Sequence, residues 1–148
     1  MPYRTSRFGV LDVPEDKIIH FPFGVIGFEQ NKRFVLIKHK PDSSFFWLQS
    51  LDNPELAFSM LFPFQFIPNY DPEISEEDKI KLLAKEKNEL EIYCMVVIPK
   101  EIQQMTINLL SPVVIHSKKQ LGIQIVLLDS EYSVHHPLIA ATSGKKGV

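Results

Sequence analysis

Short apolar runs of four to nine residues, rich in β-branched and aromatic side chains, alternate with turn-forming residues along most of this chain. Runs of this kind predict short β-strands. The predicted strands cover residues 18–21, 34–39, 45–50, 57–61, 90–98, 106–110, 113–116 and 124–128. A hairpin is predicted over 4–13, with Gly9 at its bend or at a bulge, and a turn over 117–120 with Gly122 precedes the last strand. Their even spacing is typical of a closed antiparallel β architecture. The sequence therefore predicts a mainly β fold, a compact antiparallel β-barrel-like domain.

One segment departs from this pattern. Ser75 is followed three residues later by Asp78, with two glutamates between them, which is typical of a helix N-cap and its first turn. Ile80, Leu83 and Ala84 then share one face at helical spacing. The pattern predicts one short amphipathic helix over residues 76–86.

The size of the chain predicts one domain. It has 148 residues, of which 45% are hydrophobic and 23% charged, and these are ordinary values for a globular protein. We expect the β domain to span residues 1–140. Small residues and lysines make up most of residues 141–148, which we expect to form a flexible tail.

The sequence contains no signal for export or for a membrane. No apolar run approaches the roughly 20 residues that a membrane-spanning helix needs, and the N-terminus lacks the apolar segment of a signal peptide. Cys94, the lone cysteine, lies within an apolar run and has no partner for an internal disulfide. We therefore expect a reducing, cytoplasmic location, with Cys94 as a small buried hydrophobe.

Charged and aromatic residues are unevenly distributed. Between Pro41 and Tyr70 there is no Lys or Arg, although this stretch holds Asp42, Asp52, Glu55 and eight aromatic residues. Proteins that bind nucleic acids combine aromatic side chains with basic ones that neutralise phosphates. The absence of Lys and Arg from this stretch therefore disfavours direct nucleic-acid binding. Together with the acids of residues 71–78, this stretch is predicted to form an acidic surface.

Motifs for catalysis, metal binding or cofactor binding are missing from the sequence. It lacks a Gly-rich phosphate loop, an HExxH helix and a paired-cysteine motif, so no catalytic, metal or cofactor site is predicted. Near the C-terminus, Ser130 or Ser133 as nucleophile and His135 or His136 as base supply the residue types of a hydrolase. That hydrolase is one alternative function. A β-barrel that binds a small ligand in an apolar cavity is another.

The Pro-rich stretch after residue 61 is a candidate interface. Its alternating Phe62, Phe64 and Phe66 are predicted to form one face of a strand in the core. The loop that follows lies between prolines, which hold its aromatic and acidic side chains rigidly enough to anchor a partner. A second candidate group lies near the C-terminus, where acidic, aromatic and histidine side chains cluster. The residues predicted to bind a protein partner are Asn69, Tyr70, Asp71 and Glu73 of the loop and Asp129, Tyr132, His135 and His136 of the second group.

Several short motifs, in a fixed order over residues 4–138, resemble one known family. Each motif is weak alone, but their order and spacing make the match specific. This chain is similar to the FliW flagellar assembly factors. The motifs that carry the resemblance are Phe21-Pro22-Phe23-Gly24, Gly27-Phe28-Glu29, Trp47-Leu48-Gln49-Ser50, Leu56-Ala57-Phe58, Pro63-Phe64, Tyr70-Asp71-Pro72-Glu73-Ile74, Asn108-Leu109-Leu110-Ser111-Pro112-Val113-Val114-Ile115, Asp129-Ser130-Glu131-Tyr132-Ser133 and His136-Pro137-Leu138.

The resemblance implies a β-barrel-like domain without cofactor or enzymatic activity. Members of that family bind CsrA, a small dimeric RNA-binding repressor of translation, and they also bind flagellin. Accumulated flagellin takes the family member and frees CsrA to repress flagellin translation, and export of flagellin reverses the exchange. The resemblance therefore implies a cytoplasmic regulator with two protein partners.

The sequence departs from the family pattern at several positions. Phe62 stands where an acidic residue is common, and His135 stands where Arg is usual. Both changes alter charge. Because a charge altered at an interface shifts specificity more than fold, these two departures bear on the choice of partner. The other departures are Val25-Ile26, Ser111 and His116-Ser117.

Overall fold

The computed structural model describes residues 2–41 and 43–138 of the chain. Strands account for most of its regular structure, in agreement with the predicted mainly β fold. The strands are β1 (Pro2–Thr5), β2 (Gly9–Asp12), β3 (Ile19–His20), β4 (Arg33–Lys38), β5 (Phe45–Ser50), β6 (Ala57–Leu61), β7 (Glu91–Val97), β8 (Thr106–Ile107), β9 (Val113–His116), β10 (Leu121–Gln124) and β11 (His136–Pro137). The α-helix α1 (Glu76–Lys81) is accompanied by 3₁₀ turns at Glu15–Lys17, Pro63–Gln65, Lys87–Glu89 and Ile102–Gln104.

Seven of these strands close into a barrel in the order β7-β6-β5-β4-β3-β10-β9, with β9 pairing back onto β7. Closure is possible because β7 is shared along its length. Its first half, Glu91 to Tyr93, pairs with β9, and its last residues, Val96 and Val97, pair with β8, which in turn pairs with β11. The pairings are antiparallel except for the short parallel contact between β3 and β10. The predicted antiparallel β-barrel is confirmed.

The barrel interior is filled by large apolar side chains. Six of the seven strands contribute to one buried cluster. The seventh strand, β10, approaches this cluster through Gly122, since a Cβ added there would lie 2.5 Å from Cζ of Phe21. The cluster consists of Ile19, Phe21, Val25, Phe34, Leu48, Met60, Tyr93, Val113 and Ile115.

Two further clusters lie on the outer face of the barrel, because alternate residues of a strand point to opposite sides. The smaller one, around Val35 and Leu51, is covered by the β1–β2 hairpin. The larger one includes Leu61 and Cys94 from the barrel wall. It is covered by the segments 70–90 and 125–138, and these two segments carry all the predicted interface residues except Asn69.

The helix is shorter than predicted, and a different set of side chains is buried. Its N-cap is as expected, because the Ser75 side chain accepts a hydrogen bond from the Asp78 N–H at 3.1 Å. The helix ends at Lys81, and Leu83 adopts a left-handed φ of 57°. This reversal turns Leu82 and Ala84 into the core and leaves Leu83 exposed, together with Ile80. The apolar spacing therefore identified a helix but not its buried face.

The turn and strand after residue 116 also differ from the prediction. Gln120 (φ 59°) ends the turn, so β10 begins at Leu121 and Gly122 lies inside the strand rather than in the turn. Glycine is required there by the Phe21 ring and not by turn geometry. Of residues 124–128, predicted as a strand, only Gln124 belongs to β10; residues 125–127 continue beyond it, and the chain turns at Leu128. The N–H groups of Ile125 and Leu127 donate to the carbonyls of Pro112 and Leu110 at 3.1 and 2.9 Å.

The aromatic stretch after β6 does not form the predicted strand face. Pro63 begins a 3₁₀ turn, which breaks the alternation of the three phenylalanines. Phe62 is 38% exposed, and its ring packs edge to face with that of Phe64, with the ring centroids 5.2 Å apart. Phe64 and Phe66 pack against the larger outer cluster. Only the last two therefore belong to the core region.

Tyr70 is a core residue, which corrects its predicted role as an exposed anchor. Its ring is 3% exposed, and its hydroxyl donates a hydrogen bond to the Leu109 carbonyl at 2.7 Å. Cys94 lies in the same cluster and is fully buried, so its interpretation as a small buried hydrophobe is confirmed. Burial raises the pKa of the Cys94 thiol to about 12. The polar hydroxyl of Tyr70 is tolerated there because it has a partner.

The tail predicted over residues 141–148 lies outside the described residues. Within the described part of the chain, no helix has both the length and the apolar character needed to cross a membrane.

Gly122→Ala tests the packing of the barrel interior. The added methyl would overlap the Phe21 ring, and overpacking of this kind costs about 1–3 kcal/mol of unfolding free energy. Phe21→Leu should relieve that overlap, so the double variant should be more stable than the sum of the two single changes predicts. Denaturant unfolding of the four proteins measures this coupling. Additive effects of Phe21→Leu and Gly122→Ala would contradict the assignment.

Tyr70→Phe tests the buried hydroxyl. It should lower the unfolding free energy by about 1–3 kcal/mol, because the Leu109 carbonyl loses a donor inside the core. Tyr132→Phe is the matched control, since its hydroxyl accepts from the Asp71 N–H at a solvent-exposed position. That change should cost about 0.5 kcal/mol or less. Urea denaturation measures both unfolding free energies. Equal decreases in the two variants would show that the buried Tyr70 hydrogen bond contributes no more than the exposed one.

Candidate functional site

The two predicted interface groups meet in the folded chain. The Asp71 N–H donates to the Tyr132 hydroxyl at 2.9 Å. The rings of Tyr70 and Tyr132 pack edge to face, with centroids 4.8 Å apart and an interplanar angle of 74°. Residues separated by more than sixty positions in sequence are thus held together by one ring contact and one hydrogen bond. No local pattern in the sequence predicts this contact.

The first wall of the site is the segment from Tyr70 to Ile74. It alternates strictly: Tyr70, Pro72 and Ile74 are buried, and Asp71 and Glu73 are exposed. Burial of the first set fixes the backbone and directs both carboxylates outward. Lys87 reinforces this wall, because its Nζ donates to the Pro72 carbonyl at 2.8 Å.

The second wall is the segment 125–129, which turns at Leu128 and Asp129. Ile125 and Leu127 are buried, whereas Val126 and Leu128 are 41% and 84% exposed. Asp129 follows and is also exposed. The outward-facing apolar residues of this wall were not singled out from the sequence. Their signal was the unbroken apolar run over 125–128, because a strand that is buried on one face only cannot bury consecutive side chains.

Between these walls runs an open depression, which we call the acidic groove. Among the described residues that line it, Lys81 is the one basic side chain against five carboxylates. The acids of the groove are Asp71, Glu73, Glu77, Asp78 and Asp129.

Most of this negative charge is not neutralised. Lys81 pairs with Glu77 at 3.7 Å, and Lys87 pairs with Asp71 at 3.4 Å. Exposed ion pairs of this length contribute at most about 1 kcal/mol to folding stability and are weakened by salt. Among the described residues, Glu73, Asp78 and Asp129 take part in no salt bridge. The groove therefore presents a net negative surface to a partner.

The remaining predicted residues lie on the other side of Tyr132 or away from it. Asn69 and His136 line a second depression together with Tyr132. His135 is exposed and lines neither depression. The structure thus brings Asp71, Glu73 and Asp129 together in the groove, and Asn69 with His136 beside it.

The stretch 41–70, which lacks Lys and Arg, contributes less negative surface charge than expected. Asp52 is held by the Arg33 guanidinium at 2.9 Å and by the backbone N–H groups of Lys32 and Arg33. Partial burial alone would raise the pKa of Asp52. The N–H groups and the guanidinium outweigh it and hold that pKa below its ordinary value. Asp52 is therefore a structural carboxylate, and the acidic surface is built by residues 71–78 with Asp129.

The geometry gives no support to a serine–histidine hydrolase. The Ser130 hydroxyl donates to the Leu127 carbonyl at 2.7 Å, and the Ser133 hydroxyl accepts from the His135 N–H at 3.0 Å. Both hydroxyls are engaged in local turns, and in the described chain neither is hydrogen-bonded to a histidine ring. The same part of the chain contains no group of three His, Cys, Asp or Glu side chains arranged to hold a metal ion.

Comparisons with known proteins agree in assigning the family. A sequence model of the FliW protein family matches residues 2–138. The flagellar assembly factor FliW of Heliobacterium modesticaldum is 41% identical over 143 residues, which cover 97% of this chain and 94% of that protein. The protein of the same name from Caldanaerobacter subterraneus subsp. tengcongensis is 39% identical over 140 residues, with 94% and 93% covered.

The fold agrees as well. A crystal structure of a flagellar assembly factor FliW superposes with a TM-score of 0.87 and 28% sequence identity, over 93% of this chain and 96% of that one. The match extends over the barrel and over both walls of the acidic groove, since the family model ends only at Leu138. The chain therefore belongs to the FliW family of flagellar assembly factors.

Proposed function

We propose that this chain is a non-enzymatic cytoplasmic regulator that binds a CsrA-type RNA-binding repressor and flagellin in alternation. Binding of the repressor relieves repression of flagellin translation, and flagellin competes for the same protein. The observation that carries the proposal is the contact between the two interface groups, which makes them one surface rather than two. The relatives are named flagellar assembly factors, which supports the flagellar setting.

A single surface supports exchange for a geometric reason. A stable protein–protein interface covers about 800 Å² on each partner. The groups on either side of Tyr132 are joined by direct contact, so an interface of that size centred on one group extends over the other. Two partners that both use this surface exclude each other. Exchange then needs only comparable affinities and no conformational change.

Charge favours the repressor as one of these partners. A protein that binds RNA carries a basic surface, because phosphate neutralisation dominates its affinity. An acidic groove with three carboxylates outside any described salt bridge attracts such a surface and accelerates association. Binding of the repressor should accordingly weaken as salt concentration rises.

The alternative functions receive less support. The serine hydroxyls that a hydrolase would need are bonded within their own turns. A ligand-binding barrel needs an open interior, but the interior here is occupied by side chains such as Phe21, Phe34, Leu48 and Met60, all fully buried. Protein binding is the function that the surface supports best.

Competition on the immobilised protein tests the proposal. The protein is loaded with purified repressor, and purified flagellin is titrated over it while the released repressor is measured. We expect complete release with a single midpoint, because both partners need one surface. Formation of a ternary complex, seen as flagellin capture without release, would contradict mutual exclusion. Failure of the folded protein to bind either partner would contradict the function itself.

The double variant Glu73→Lys/Asp129→Lys tests the groove in that exchange. These carboxylates make no salt bridge with the described residues, so their reversal should leave the fold intact. We expect the Kd for the repressor to rise tenfold or more, about 1.4 kcal/mol, in a calorimetric titration at low salt. Asp16→Lys/Glu55→Lys is the matched control, since both acids are exposed and line no part of the groove. Tyr70 is left unchanged because it belongs to the core. Equal effects of the two charge reversals would show that only net charge matters.

A further inference from the structure

An apolar strip runs along the second wall of the acidic groove and into the adjoining depression. Leu128 is 84% exposed, Val126 is 41% exposed, and Phe23 of the neighbouring loop is 57% exposed. Val126 lines the groove with Leu128 and also lines an adjoining depression with Phe23. The three side chains therefore form one row, and we call this row the apolar strip.

The strip is held rigidly. Its segment is fixed from below by the buried side chains of Ile125 and Leu127 and by their hydrogen bonds to Pro112 and Leu110. At the other end, the Gln124 side chain accepts a hydrogen bond from the Ile26 N–H at 3.0 Å, which ties the Phe23 loop to β10. A rigid apolar row loses little conformational entropy when a partner covers it, so it is well suited to anchor one.

The carboxylates around the rim of the strip favour a positively charged partner. Asp78 lines both depressions, and Glu73 and Asp129 face the groove, all three outside any described salt bridge. Lys81, the basic side chain of this rim, pairs with Glu77 and lies with its Nζ 5.1 Å from the Phe23 ring centre. An acidic partner would meet uncompensated carboxylates at close range, whereas a basic one would neutralise them.

We propose that the apolar strip docks a segment of a protein partner in which apolar residues alternate or are interspersed with Lys or Arg. The apolar side chains of that segment cover Val126 and Leu128, and its basic side chains reach the carboxylates of the rim. This inference rests on the proposed function in taking the partner to be a protein. It goes further by assigning the anchor to residues 126 and 128 and by specifying the chemistry of the segment.

Leu128→Ser tests the anchor. A leucine that is almost fully exposed in the free protein contributes nothing to folding by its burial, so the variant should keep its melting temperature. The Kd for the partner that uses the strip should rise roughly tenfold to hundredfold, the range expected when the burial of one leucine is lost. Val10→Ser is the matched control, because Val10 is 67% exposed in the hairpin on another part of the surface. An unchanged Kd for both repressor and flagellin would overturn the proposal, provided that the wild-type protein binds them.

A photo-crosslinking amino acid at position 128 identifies the chemistry of the segment without assuming its owner. The variant is expressed in the source cell, irradiated, and the crosslinked peptide is sequenced by mass spectrometry. We expect a peptide that carries Lys or Arg next to apolar residues, and its yield should fall when Glu73→Lys/Asp129→Lys is added. A basic peptide from a protein other than the repressor or flagellin would support the docking site while contradicting the proposed function. An acidic peptide, or crosslinks from a probe at position 10 but none from position 128, would overturn the inference.

Discussion

The fold depends on the double pairing of β7. A strand in a closed barrel needs a partner on each side, and β7 has β6 along one edge while its other edge is divided between β9 and β8. The pairing with β9 closes the barrel around its interior cluster. The pairing with β8 begins a second layer of structure outside the barrel. In this layer β8 pairs with β11, which brings the C-terminal segment back over the outer face of β7. Without that division the segment carrying Asp129 and Tyr132 would have no sheet to join.

The functional surface follows from how this outer face is covered. Cys94 and Leu61 present an apolar face that must be shielded from water, and Tyr70 and Leu82 from one segment and Leu127 from the other provide the cover. Burial alternates along residues 70–74 of the first segment and 125–127 of the second, so the intervening side chains face outward. Carboxylates emerge from the first segment and apolar side chains from the second. The groove is thus a direct consequence of core burial, and it is as rigid as the core that supports it.

Local patterning was sufficient to predict the strands but not the contacts between distant segments. The bounds of β5, β6 and β9 agree with the sequence prediction, because each combines β-branched or aromatic residues with clear turn signals at its ends. The errors arose where tertiary contacts decide. Leu83 leaves the helix because Leu82 and Ala84 fit the core, and Gly122 is a glycine because of Phe21, 101 positions earlier in the chain. Asp71 and Asp129, predicted by residue type to bind a partner, lie exposed in the groove, whereas Tyr70 is buried and the exposed Leu128 was not among the predicted residues. A single sequence contains no record of which residues meet across the fold.

The groove combines carboxylates with apolar side chains, and this combination affects how fast partners can be exchanged. Carboxylates act over several ångströms and mainly increase the association rate, whereas apolar contact mainly slows dissociation. A strip of only three apolar side chains limits how long a partner stays bound, and the acids around it keep association fast. In the proposed exchange this combination is the useful one, since a regulator that responds to a changing supply of flagellin must release one partner before it can bind the other. A larger apolar patch would bind either partner more tightly, but exchange would then become slower because dissociation precedes every switch.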